Sequence, residues 1–419
     1  MSTYIKSNYE NTSALSLLDY VFIFGIVLAP IQDLRIWKFG PGEILLIGWM
    51  IAVFFGRNPS SVYPSGTLAI SDIGKYQIAN VCMMMIGMFV NTIIYHATLN
   101  IVVIATDLFS HLFMFFLSSC IVLYFEERDL KDINSIIQRI VVYGMVIYGF
   151  LWVYATYINT SIFGKKLWLG GRGYRFLGLG SNPHQIGMIT GVGVCFSLYI
   201  ASIKQELKDK VLFVLVAGIW LLLSFSLRSD TLTLTYVFLA ATTVLLKTLK
   251  KNTGIETKRS NNAIIVVFTI ILIILNLPRL WGALNGFIME AGNGLGRIEL
   301  WETGLGQFSD KLLCFFTGLG PGAGTGTYMR LSGNEIEAHN TYIQQILNSG
   351  IFICLYYIFM VLKIIKNPTS KNTFLVAGVL YFILYGFGGN MNRRVLVWFT
   401  FTMVVILIQK TERTEIANK

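Results

Sequence analysis

Twelve apolar runs, each bounded by charge, glycine, proline or asparagine, divide this chain and constrain its fold more than any motif in it. They lie near 15–31, 42–55, 77–95, 104–125, 140–162, 186–203, 211–227, 232–246, 263–277, 342–365, 374–387 and 395–408. A hydrocarbon core of ~30 Å takes about 20 residues of helix to cross. Backbone amides inside it meet no water, so each run must satisfy its own N–H and C=O groups, which a helix does. Several runs fall short of a full span, and 104–125 carries Asp107 and His111. With 54% apolar residues, 13% charged and a mean hydropathy of +0.63, the chain lies outside the range of soluble domains. The expectation is an all-α polytopic integral membrane protein of about twelve transmembrane helices, forming a single membrane domain over residues 1–419.

The stretch 1–13 is polar and puts no basic cluster ahead of a short apolar run, so it is not expected to be a removable signal peptide. Cys82, Cys120, Cys195 and Cys354 sit in apolar runs, and Cys314 stands without CxxC or Cys/His spacing. Neither a disulfide framework nor a metal site is expected.

Lysine and arginine favour cytoplasmic loops. With both termini inside, twelve spans place Lys247, Lys250, Lys251, Lys258 and Arg259 in one inner loop, and 20 of the 33 basic residues on that side. The split by type is sharper. Fifteen of nineteen lysines fall inside, while nine of fourteen arginines fall outside: Arg35, Arg172, Arg175, Arg228, Arg279, Arg297, Arg330, Arg393 and Arg394. A planar guanidinium grips phosphate oxygens in a way that a point-like ammonium does not. The outer cluster therefore suits an anionic lipid-linked substrate. Anionic headgroups, or pairing with Glu299, Glu302, Glu335 and Glu337, are the alternative occupants.

Four outer segments carry the chemistry. The loop 164–185 contains GGRGYRFLGLGSNPHQIG, which brings Arg172 and Arg175 just ahead of a helix starting at Asn182-Pro183. SFSLRSDTLTLTY sets Arg228 at a tight turn near the hydrocarbon boundary, where it needs either a wet cavity or a partner such as Asp230. The long loop 278–340 is too long for an idle connector and is expected to hold short helices. One starts at Arg297 in NGLGRIELWETG, where Ile298, Leu300, Trp301, Leu305 and Phe308 recur at roughly helical spacing and predict an interfacial helix. In GLGPGAGTG, Gly320, Gly322 and Gly324 allow amides to approach an anion, although a flexible turn explains the same glycines. The segment lacks the Lys-Ser/Thr ending of a P-loop. Finally, EAHNTYIQQILNSG opens a membrane helix with His339 and Asn340, followed by Tyr342. An interfacial histidine can exchange a proton with a hydroxyl near neutral pH, or can serve structure alone. His184 is expected to cap or hydrogen-bond locally, and His96 and His111 show no partner in the sequence.

This order of motifs over 172–350, with HNTYIQQILNSG downstream of GLGPGAGTG its most specific part, resembles the superfamily of O-antigen polymerases and O-antigen ligases, bacterial inner-membrane glycosyltransferases. The family often shows Asn-Pro-Asn where this chain has Asn182, Pro183 and His184. The resemblance implies that Arg228 and Arg297 hold the diphosphate of an undecaprenyl-diphosphate-linked glycan and that His339 acts beside the acceptor hydroxyl. Arg175 resembles the family's first outer-loop arginine. Arg172, Asn340, Tyr342, Arg393, Arg394 and the glycines join them as candidate substrate-binding residues. It further implies no cofactor, an active site on the periplasmic face of the inner membrane, and a flippase and a chain-length regulator as pathway partners. Polymerisation of lipid-linked repeat units is the first reading. Ligation of the finished glycan to lipid A core is its rival, and a flippase for the lipid-linked unit is a rival of another class, which would carry charges at mid-membrane and internal repeats.

Overall fold

The computed structural model describes residues 15–56, 68–98, 100–170, 174–252, 297–323, 330–331, 334–335, 338–366 and 373–417. In them the apolar runs form helices α1 (Leu17–Leu28), α2 (Pro41–Phe55), α3 (Leu68–Ile93), α4 (Ile101–Phe125), α5 (Leu130–Val153), α6 (Pro183–Ile203), α7 (Leu207–Ser226) and α8 (Asp230–Asn252). After α9 (Arg297–Gly306) and α10 (Leu312–Thr317) come α11 (Thr341–Ser349), α12 (Ile351–Ile365), α13 (Thr373–Tyr385) and α14 (Val395–Ala417). The run 263–277 lies outside the described residues. Sheet is confined to two-residue pairings, including β1–β2 (Ser161–Ile162 with Lys165–Lys166) and β3–β4 (Trp168–Leu169 with Arg175–Phe176).

Among the described residues, six helical segments are long and apolar enough to cross a membrane: Asp72–Ile93, Ile101–Phe125, Leu130–Ile158, Pro183–Ile203, Leu207–Ser226 and Val395–Thr414. Helices α1, α2, α12 and α13 are apolar but shorter. The molecule is an all-α membrane protein on these grounds. Helix α6 is its axis, packed on α5, α7, α13 and α14. Small residues let the neighbours close in, and a Cβ at Gly191 would stand 2.2 Å from the Tyr381 ring.

The run 342–365, expected as one helix, is two. Gly350 adopts φ +84 between α11 and α12, and a Cβ there would lie 2.0 Å from the carbonyl oxygen of Phe316 in α10. Only glycine can turn the chain so close to another backbone. The half-helix α11 consequently starts and ends inside the protein.

Contacts between helix ends sort into two groups. At one end Arg128 pairs with Asp19 at 2.6 Å, Lys363 with Asp72, and Lys410 donates to the Glu126 carbonyl. At the other, Gln32 N–H donates to the Leu179 carbonyl, Asn91 donates to the Leu319 carbonyl at 3.1 Å, and Thr341 N–H donates to Gly386 at 2.7 Å. The described arginine-bearing segments around 175, 228, 297 and 394 gather at this second end, opposite Lys363 and Lys410.

Candidate functional site

The hairpin β3–β4 fixes Arg175. Its strands pair Trp168 with Phe176 and Leu169 with Arg175, and the Trp168 indole donates to the Ala155 carbonyl at 3.0 Å, tying the hairpin to the end of α5. Arg175 donates through Nη2 to the carbonyl oxygen of Arg228 at 3.0 Å. Arg228 occupies the turn between α7 and α8 with φ +44, and its exposed guanidinium lies 5.8 Å from the Tyr174 ring centroid. The two arginines predicted from separate loops are thus linked through backbone.

Helix α9 begins at Arg297, as the sequence predicts, but its inward face is Arg297, Leu300 and Gly304, with Ile298 and Leu305 exposed. Arg297 is only 7% exposed. It donates through Nη1 to the Gly388 carbonyl at 3.1 Å and through Nη2 to Thr231 Oγ1 at 3.2 Å. Burial pulls its pKa below the ordinary arginine value, and Tyr385 and Asp230 act against that pull. The same 386–391 loop grips the start of α11. Thr341 Oγ1 donates to the Gly389 carbonyl at 2.7 Å and accepts from Met391 N–H at 2.9 Å. One loop therefore sets the positions of both Arg297 and the residue two places after His339.

His339 precedes this helix start with φ +46 and is half-buried. Asn340 is the N-cap of α11, accepting from the N–H groups of Tyr342 and Ile343 at 2.9 and 3.1 Å. Facing them, His184 in the first turn of α6 shares a 2.7 Å hydrogen bond between Nδ1 and the Tyr385 hydroxyl. Arg297, His339, Arg175 and Arg394 all act electrostatically on His184. Two histidines, a tyrosine hydroxyl and at least three guanidiniums thus share one polar end of an apolar bundle. Such a constellation can bind a multiply charged anion and move a proton beside it.

Other predicted residues serve a second, buried network. Arg393 Nη1 pairs with Asp107 Oδ1 at 2.9 Å, so this guanidinium meets a carboxylate of α4. Asp107 Oδ2 accepts from Gly322 N–H at 2.7 Å and from Asn348 at 3.0 Å. The expectation that glycine amides approach an anion is met from inside, since the carboxylate belongs to the protein. Gly320 N–H donates to the Asn348 carbonyl and Leu319 N–H to the Leu347 carbonyl, closing the C-terminal end of α11. Tyr342 donates its hydroxyl to the Ile383 carbonyl at 2.8 Å. Gly320, Gly322 and Tyr342 therefore hold the scaffold together, and Asn340 does so as a cap. Around them Asn80 contacts His111 at 3.2 Å, Gln345 at 2.5 Å and Ser349 at 2.6 Å, and Gln345 accepts from Asn392 at 2.6 Å. Arg172 and Gly324 lie outside the described residues.

Sequence reasoning set His184 aside as a local cap and His111 as unpartnered, whereas their partners are far away in the chain, Tyr385 for one and Asn80 for the other. His184 did carry one signal, its place in the first turn after Asn182-Pro183 within an arginine-bearing loop. Asn390 carried none. It is 6% exposed, and neither of its amide atoms has a hydrogen-bond partner among the described residues, a costly state for a buried amide unless something else completes it. It lies between Gly389, which accepts from Thr341, and the Met391–Arg393 segment of the buried network. No protein-family model matches the chain, and no curated protein matches its sequence.

Proposed function

We propose that this protein is a membrane glycosyltransferase that takes a glycan from a polyprenyl-diphosphate carrier at the outer face of a bacterial inner membrane and joins it to another lipid-linked glycan, as an O-antigen polymerase does. The observation that carries this reading is the gathering of Arg175, Arg297, Arg394, His184 and His339 at one end of an apolar bundle. The motif resemblance over 172–350 supplies the substrate class.

In the proposed reaction an acceptor sugar hydroxyl attacks the anomeric carbon of the donor glycan. The new C–O bond forms as the anomeric carbon's bond to diphosphate breaks, and the electron pair leaves with the diphosphate. Guanidiniums already fixed by protein contacts meet that charge without reorganising. His339 takes the hydroxyl proton or orients it, a contribution of ~10²–10⁴ in rate. The unpaired amide of Asn390 offers one donor group and one acceptor to sugar hydroxyls.

The deciding experiment is genetic deletion in the source bacterium, with the surface glycan read on a gel. Lipid A core carrying a single repeat unit is the expected outcome. Bare core identifies ligation or an earlier step instead, and unchanged ladders remove the protein from the pathway.

A further inference from the structure

A cavity of about 770 Å³ runs beside α4, away from the hairpin that carries Arg175. Its polar mouth holds Arg35 and Lys38 of the α1–α2 connection together with Arg393 and Arg394. One carboxylate, Glu43, lines it too, and that group already accepts from Gly40 N–H at 2.8 Å as part of the α2 cap. Lys38 Nζ donates to Thr106 Oγ1 at 2.6 Å, and Arg393 pairs with Asp107, so the cations lie level with the second turn of α4. Below that level Phe109, Phe113 and Met114 form a mostly apolar wall that includes Ser110, whose hydroxyl donates to the Thr106 carbonyl of its own helix, and Ile101, Val102 and Ala105 line the cavity on the other side of the cations. Thr106 to Met114 is about 12 Å along a helix axis. Phe109 is 51% exposed although it lies on a helix long and apolar enough to cross the membrane, so the wall is open to hydrocarbon. A cationic head position above an apolar trough open to the side fits a lipid and does not fit a soluble anion.

We infer that this groove docks a phosphate-headed, single-chain lipid carrier distinct from the one held at the Arg175–Arg228–Arg297 end, and that it presents the second glycan of the transfer reaction. Joining two lipid-linked glycans requires two lipid diphosphates at once, and to that extent the inference rests on the proposed function. Arg394 stands between the two sites, lining the groove while acting electrostatically on His184. The attacking and leaving sugars would therefore meet beside Arg394, each tethered from its own side.

The test uses full-length protein in phosphatidylcholine nanodiscs, titrated with a sugar-free polyprenyl diphosphate and read by native mass spectrometry. Inorganic pyrophosphate, polyprenol and phosphatidylglycerol are the comparison probes. Wild type should take up two polyprenyl diphosphates. Arg35→Glu with Lys38→Glu should weaken one of them by about tenfold or more, the scale of a lost charge-assisted contact. Ser110→Trp, which adds bulk inside the trough one turn below Thr106 from a partly exposed position, should do the same while leaving the charges intact. Two lipids bound undiminished in both variants overturn the groove. So does equal occupancy by inorganic pyrophosphate, which would make it a free-anion site, or by phosphatidylglycerol, which would make it a bulk-lipid contact. A single bound lipid that responds to Arg297→Lys and ignores the groove variants also overturns it, yet leaves the proposed function standing. Two bound lipids with the expected groove dependence, in a protein that transfers no glycan, sink the proposed function and keep the groove.

Discussion

Arg297 donates to two oxygens on different elements, Gly388 of the α13–α14 loop and Thr231 of α8, from a nearly buried position. A lysine keeps the charge but cannot span both acceptors from one ammonium while also facing a diphosphate. Arg297→Lys should therefore lower transfer by about 10²–10³, the cost of losing one oriented donor group to a developing anion. Transfer assays on the purified protein at equal concentration give the rate, and an unchanged rate would leave Arg297 a purely structural role. His339 admits a cleaner separation, because its φ of +46 is a conformation that glycine adopts without strain. His339→Gly should fold at least as stably as wild type, and His339→Ala should be less stable than the glycine variant by about 1 kcal/mol of backbone strain. Both should fail to transfer glycan while still binding donor. Robust turnover by the glycine variant would show that the position needs only its backbone shape. Arg175, Arg228, Arg297 and His339 were picked out from sequence because charge is rare in so apolar a chain, although Arg393, picked out on the same ground, is bound to Asp107. His184 and Asp107 were not, since their roles come from Tyr385 and Arg393, residues that only the tertiary fold brings to them.

Helices were readable where apolar runs are long, but their interruptions depend on what packs beside them. The run 342–365 reads as unbroken because isoleucine and leucine continue on both sides of Gly350, and the break exists because α10 presses its Phe316 carbonyl against that glycine. Gly350→Ala combines a Cβ clash with backbone and a strained positive φ, so it should destabilise the protein by about 3 kcal/mol or more. A thermal melt in detergent that matches wild type would mean that α10 can move aside. The short helix α11 is also braced from α4, where Asp107 joins Arg393, Gly322 and Asn348. Asp107→Asn keeps the side-chain shape but leaves Arg393 without its countercharge. Breaking a buried pair from one side costs about 3–5 kcal/mol, so this variant should melt well below wild type and lose transfer with it. Full stability in Asp107→Asn would indicate that another acceptor can hold Arg393. None of this bracing was visible in GLGPGAGTG, where the glycines suggested an exposed anion cradle and the structure uses Gly320 and Gly322 for close internal packing.

At the scale of the whole molecule, the sequence separated most lysines from most arginines before any helix was placed, and the fold puts Lys363 and Lys410 at the end opposite Arg175 and Arg228, while Arg128 lies with the lysines and Lys38 with the arginines. That much was legible because topology is written in loop charge. The depth of each helix was not, since α1, α2, α12 and α13 are too short to span alone and depend on neighbours for their burial. The proposed function and the positive-inside rule expect the Lys363 and Lys410 end to face the cytoplasm and the Arg228 end the opposite side. Cysteine labelling tests this directly. In a variant whose five native cysteines are replaced, Arg228→Cys and Trp37→Cys place thiols at exposed positions of the arginine end. Lys208→Cys and Lys363→Cys place them at the other. In intact cells with a permeabilised outer membrane, a membrane-impermeant maleimide should label the first pair alone, and the second pair should react only after the inner membrane is lysed. The reverse pattern would turn the site toward the cytoplasm, where nucleotide-activated sugars are the available donors, and would exclude a periplasmic lipid-linked transfer. Labelling of all four in intact cells would mean that the two ends do not lie on opposite sides of the membrane, and the twelve-span arrangement would fail with them.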